Sequence, residues 1–147
     1  MQLTQHTEYA LRILIYLSLQ EKQQRSNITE ISECFSLPRN HIVKIVHKLG
    51  KFNFISTIRG KGGGIQLNRD IDTIFIGDVV RKMEANLEIV NCEKPVCPII
   101  PVCQLKGILN QARDAFLQIL DSYSLADINQ QPQLLLKLLK NHTEQNK

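Results

Sequence analysis

Three cysteines, Cys92, Cys97 and Cys103, fall within twelve residues, separated by gaps of four and five. Thiolates are soft ligands, and a chain that concentrates them is equipped for metal or redox chemistry. Three is odd for disulfides and one short of a closed tetrahedral site, so the loop suggests a centre with a position left for another ligand. Zinc ribbons usually use two-residue gaps that turn tightly around one small ion. The wider gaps here let the chain wrap a larger object, and thiolates are the preferred ligands of iron–sulfur clusters. A zinc site, a thiol-redox pair and three inert thiols remain alternatives, although no Cys-x-x-Cys pair is present. No histidine or cysteine follows Cys103 closely enough to complete the set. Water, a small thiol or a side chain from elsewhere could complete it; Glu8 is one candidate, and its ordinary role would be an i, i+4 ion pair with Arg12.

The elements that would position this loop can be read on either side of it. A chain of 147 residues, 43% hydrophobic and 22% charged, fits one globular domain with an extension. Tyr9–Leu19 is apolar but interrupted by Arg12 and too short to span a bilayer, so a cytoplasmic protein with reduced thiols is expected. The net charge of +4 is unevenly spread: residues 34–69 hold seven Lys/Arg and no Asp or Glu. A solvated face normally mixes signs. Such a stretch suits a polyanion, and nucleic acid is the expected partner.

Thr4–Leu19 reads as a central helix, apolar almost all round. A second helix is expected from Ile28 to about Ser36, capped by Asn27 or Thr29, with Cys34 a small buried thiol. After the break at Leu37-Pro38, a third helix runs to about Leu49 with Ile42, Ile45, Val46 and Leu49 inward. Together, about residues 28–51 make a helix-turn-helix. Arg39, Asn40, His41 and Lys44 are the expected base or phosphate contacts. Lys48, Lys51 and Lys61 are expected to neutralise phosphate. About residues 54–68 form a β-hairpin whose glycine-rich tip, Arg59-Gly60-Lys61 onward, has the shape of a wing; Arg59 could enter a minor groove.

A further helix, Ile74 to about Ala85, leads into the cysteine loop, 92–103. Residues 104–123 then form an amphipathic helix with Leu105, Ile108, Leu109, Ala112, Phe116, Ile119, Leu120 and Tyr123 on one face. A twofold-related copy is the economical partner for that stripe, which makes a homodimer and a near-palindromic DNA site the expectation. The tail, 130–147, is leucine-rich and of no assigned role. The fold class is therefore mainly α with a small β-hairpin wing: a winged helix-turn-helix over about 1–129 with a long C-terminal dimerisation helix.

These features together resemble the NsrR/IscR group of bacterial iron–sulfur regulators. The resemblance rests on the helix-turn-helix, the Arg59-Gly-Lys-Gly-Gly-Gly64 wing, Ile76-Gly-Asp-Val-Val80, the three-cysteine loop and the long dimer helix. Met1-Gln-Leu-Thr4, Arg39-Asn-His41, Val43-Lys-Ile45, Val90-Asn-Cys92 and Tyr123-Ser-Leu-Ala-Asp127 are similar to the NsrR branch. The resemblance implies a homodimeric repressor, not an enzyme, of genes that detoxify nitric oxide. It implies a cluster on Cys92, Cys97 and Cys103, completed by a carboxylate from the partner's first helix at the position of Glu8. Some relatives have aspartate there, and the absence of a histidine after Cys103 argues against the IscR-type set. A 4Fe–4S cluster is favoured over 2Fe–2S, with nitric oxide damage releasing the protein from DNA. An iron–sulfur-status or redox regulator of the same fold, or a zinc-stabilised DNA-binding protein, is the alternative.

Overall fold

The computed structural model describes residues 2–22 and 24–145; Met1, part of the opening motif, lies outside them. Helix α1 (Gln5–Ser18) begins where Thr4 accepts a hydrogen bond from the Thr7 N–H, and it buries Thr7, Ala10, Ile13, Leu14 and Leu17. Helix α2 (Ile28–Phe35) starts in a reciprocal capping box between Asn27 and Glu30 and ends on Ser36 in a left-handed conformation. Helix α3 (Arg39–Lys51) follows at once, with Pro38 just outside its first turn instead of within it. Its inward residues are those the periodicity predicts: Ile42, Ile45, Val46 and Leu49 are buried.

Strands β1 (Ile55–Ile58) and β2 (Gly64–Leu67) pair antiparallel, Ile55 against Leu67 and Ile58 against Gly64. A short bridge from Ser26 to Ile65 ties the hairpin to the segment before α2. That approach is close: a Cβ on Gly64, at φ +153°, would sit 2.8 Å from the Arg25 Cβ. Arg25 Nη1 also donates to the Gly62 carbonyl at 2.6 Å, so the wing tip is held from outside the hairpin.

After a single 3-10 turn at Ile71–Thr73 come α4 (Ile76–Met83), a 3-10 turn at Ile100–Val102, α5 (Leu105–Asp121), α6 (Leu125–Ile128) and α7 (Pro132–Gln145). One core joins α1, α3, the hairpin, α4 and α6 through Leu14, Ile45, Phe54, Ile65, Met83 and Leu125, among others. A smaller cluster of Ile76, Val80 and Leu117 binds α4 to α5. The leucine-rich tail is a helix, α7, lying against α2. Cys34 is buried at 5% exposure. Burial pushes the Cys34 thiol above its ordinary range, against a hydrogen bond with Thr143 of α7 that lowers it.

Candidate iron–sulfur loop and nucleic-acid interface

The cysteine loop leaves α4 at Glu84 and rejoins the helical frame at Leu105. Asn91 opens it by accepting from the backbone N–H groups of Glu93 and Lys94 at 3.0 and 3.2 Å. The Cys97 N–H donates to the Cys92 carbonyl at 2.9 Å, and Ile100 donates back to the Cys97 carbonyl at 3.3 Å. The Cys103 N–H reaches the Ile100 carbonyl at 3.3 Å. Each thiol-bearing residue is thus pinned by its own backbone. All three thiols are free and only partly exposed.

Their chemistry fits a thiolate-loving iron centre, because no disulfide consumes them. Among the described residues, though, no three His, Cys, Asp or Glu side chains are gathered as a metal site. The loop would have to close around its group. Glu8 pairs with Arg12 of its own chain, as its i, i+4 spacing suggests, and the two side chains are 40% and 42% exposed. The loop's Val96 and Val102 are 74% and 82% exposed. Along α5, Leu105, Ile108 and Ile119 are exposed, as is Tyr123 just beyond its end, while Leu117 alone is buried among the helix's described residues. The α5 stripe therefore does not fold back on its own domain, apart from Phe116, Leu117 and Leu120 packed on α4.

Helix α4 is the joint between this loop and the rest of the molecule. Arg81 and Asp121 form a two-pronged ion pair to α5, one prong at 2.7 Å. Asp78 receives Arg69, from the end of the hairpin, at 3.5 Å and Lys82 at 3.1 Å. At the C-terminal end, Lys48 of α3 donates to the Met83 carbonyl at 2.8 Å. Next to it, Glu84 accepts from the Thr4 N–H at 2.8 Å and the Thr4 hydroxyl at 3.0 Å. Burial pushes the Glu84 carboxyl up. Hydrogen bonds from Thr7 and Thr4 and the charge of Lys48 outweigh it, holding the group below its ordinary range. The base of the unit is closed too: Ile76 N–H donates to Tyr123 O at 2.9 Å and Leu125 N–H to Ile74 O at 2.8 Å.

On the basic side, α3 presents an exposed stripe of Arg39, Asn40, Val43, Lys44, His47 and Lys51. Arg39 is steadied by the Thr29 hydroxyl at 2.8 Å. Arg59, Gly60 and Lys61 are exposed at the wing. Two expected contacts stand elsewhere. His41 is half-buried, its ring 6.4 Å from those of His6 and Tyr9 and its Nδ1 enclosed. Lys48 is half-buried and committed to Met83. Both lie on the flank of the buried stripe, where α1 and α4 pack. His47 is exposed, as its place on the outward face of the third helix predicts, and Val43, four residues from Arg39, joins that face.

A family model described as "Iron-dependent Transcriptional regulator", Rrf2, matches residues 3–131. The chain belongs to the Rrf2 family. Within it, the HTH-type transcriptional regulator NsrR of Bacillus subtilis (strain 168) is 45% identical over 143 residues, 95% of this chain and 98% of that protein. Among solved structures, CymR, the global cysteine regulator of B. subtilis, matches at TM-score 0.72 and 24% identity, covering 87% of this chain and 95% of its own. IscR of T. potens matches at TM-score 0.70 and 20% identity, covering 87% and 85%. These two likenesses bear on the fold, which is the Rrf2 winged helix with its two-stranded wing. This Rrf2 protein is a DNA-binding transcriptional repressor of the NsrR type. Among its described residues no helix is long and apolar enough to cross a membrane.

Proposed function

We propose that this chain is a cytoplasmic homodimeric repressor that carries an iron–sulfur cluster on Cys92, Cys97 and Cys103 and releases its operator in response to nitric oxide. The observation that carries this reading is the concentration of three free thiols on one loop strung between α4 and α5. The 45% identity to NsrR supports the signal. When bound, the cluster, 4Fe–4S in this reading, supplies iron with which nitric oxide can react. Glu8 of the partner subunit would complete the ligand set in place of its pairing with Arg12. The exposed apolar residues of α5 and of the loop meet their twofold copies, which makes a second chain necessary to finish the site.

In this reading residues 1–129 are the DNA-binding and sensing unit. Arg39, Asn40 and Lys44 face the major groove, Lys51 neutralises phosphate, and Arg59, Gly60 and Lys61 follow the backbone or minor groove. His41 and Lys48 hold α3 in position instead of touching DNA. A dimer places two such helices on half-sites about 34–36 Å apart. The chain's own contribution to switching is linkage. The loop pulls on α4, and the end of α4 grips α1 through Glu84–Thr4 and α3 through Met83–Lys48. A change in the loop's path is thereby felt at the recognition helix.

The test is anaerobic purification followed by a visible spectrum, iron and sulfide analysis, and operator affinity before and after nitric oxide. The expected protein is coloured, binds its operator and loses affinity on exposure, while Cys97→Ser and Cys103→Ser are colourless but folded. A colourless wild-type protein holding only zinc sinks the cluster. Unchanged affinity after nitric oxide sinks the signal.

A further inference from the structure

Within the carboxylate-free stretch, the exposed face of α3 contains one residue that can neither donate nor accept a hydrogen bond. Val43 is 44% exposed between Asn40, Lys44 and His47. A solitary exposed apolar residue is ordinary on a protein surface. Its register is not ordinary here. Val43 lies four residues from both Arg39 and His47, at the middle of the stripe, on the face opposite the buried Ile42, Ile45, Val46 and Leu49. The N-terminal half of such a helix is the part that meets base edges.

Against a base edge, valine has one recognisable target, the C5 methyl group of thymine. Its β-branched side chain is held in one dominant χ1 rotamer by the helix, so its methyls are delivered with little ordering cost. Asn40, three residues earlier, has the fork that suits adenine N7 and N6. Three residues advance a helix by about 4.5 Å, comparable with the roughly 3.4 Å between stacked base pairs.

We infer that Val43 is a specificity residue that reads the 5-methyl of a thymine adjacent to the base pair contacted by Asn40. This rests on the reading of α3 as the recognition helix. Val43 then contributes discrimination that a phosphate contact by Lys51 cannot.

The experiment selects an operator from random duplex DNA with the full-length, cluster-loaded protein, then replaces each thymine of one half-site singly by deoxyuridine. Removing one contacted methyl should weaken wild-type binding about fourfold at a single position, the factor equivalent to about 0.8 kcal/mol per buried methylene. Val43→Ala, at an exposed helical site, should bind the methyl and demethylated operators equally. If no deoxyuridine position weakens the wild type, or if the loss is the same in Val43→Ala, the inference is overturned. Asn40→Ala separates the two levels. Loss of its preference for selected over scrambled DNA, with no methyl effect at Val43, removes this inference alone. Unchanged preference in Asn40→Ala overturns the recognition-helix reading and this inference with it.

Discussion

Lys48 gives the sharpest separation between holding the recognition helix and touching DNA. Its ammonium donates at 2.8 Å to the carbonyl of Met83, in the last turn of α4, where helix carbonyls lack an intrahelical partner. Lys48→Met keeps the aliphatic stem and removes the donor. A hydrogen bond from a charged group is worth about 1.5–3 kcal/mol when desolvated. Lys48 is half-exposed, so solvent screening reduces that to about 1 kcal/mol. For a chain of this size the melting temperature should fall by about 2–4 °C. DNA affinity should keep its full salt dependence, because no phosphate contact is lost. Lys51→Met is the control: removing the phosphate contact proposed for it should lower the slope of log K against log salt by about 0.9, with little change in melting. Thermal denaturation and operator titrations from low to moderate salt measure both quantities. A slope reduced by about 0.9 in Lys48→Met, with an unchanged melting temperature, would place the side chain on DNA and refute this reasoning.

Other substitutions test the joints around the loop. A Cβ on Gly77 would overlap the Asp121 carboxylate and lie 2.9 Å from the Asp121 backbone nitrogen. Gly77→Ala should therefore destabilise by about 1–2 kcal/mol, overpacking outweighing the gain in helix propensity, as read by urea denaturation. Adding Asp121→Ala should recover part of that loss. Glu84 and Asp121 both have carboxyl groups held below their ordinary range, Glu84 by threonine hydrogen bonds that outweigh burial and Asp121 by Arg81. Their stabilisation is present above the unfolded-state value, near 4.5 for Glu84, and is lost as pH falls through the lower folded value. Acid titrations of stability should thus be shallower in Glu84→Gln than in the wild type below about pH 4.5. Ending the chain at Gln131 removes α7 and uncovers Cys34. Peptide mapping after alkylation should show faster modification of Cys34, with the thiols of the loop unaffected.

The local chemistry of the chain was legible where a short-range signal decides the outcome. Asn27 announces the start of α2, Pro38 the break before α3, and the 3.6-residue period the buried side of α3. The flanks of α3 were not legible. His41 and Lys48 lie two turns apart beside the buried stripe, and only the packing of His6, Tyr9 and Met83 against them decides that they face inward. The tail shows the same limit: its role went unassigned, and its partner α2 lies about a hundred residues earlier. The three cysteines are obvious as donors in the sequence. Their spatial gathering is a property of whatever closes the loop, and nothing in the spacing specifies it.

The hydrogen bonds that join Ile74 and Ile76 to Leu125 and Tyr123 also have an evolutionary side. They bring the two ends of the 48-residue excursion from Ile76 to Tyr123 together on the DNA-binding core, so the middle of that excursion carries no duty to keep the core intact. Cysteine spacing within 92–103 can consequently drift or lengthen without unfolding the DNA-binding core. If the loop senses as proposed, the fold pairs one DNA-reading frame with a sensory segment of a dozen residues that can be rewritten while that frame stays folded.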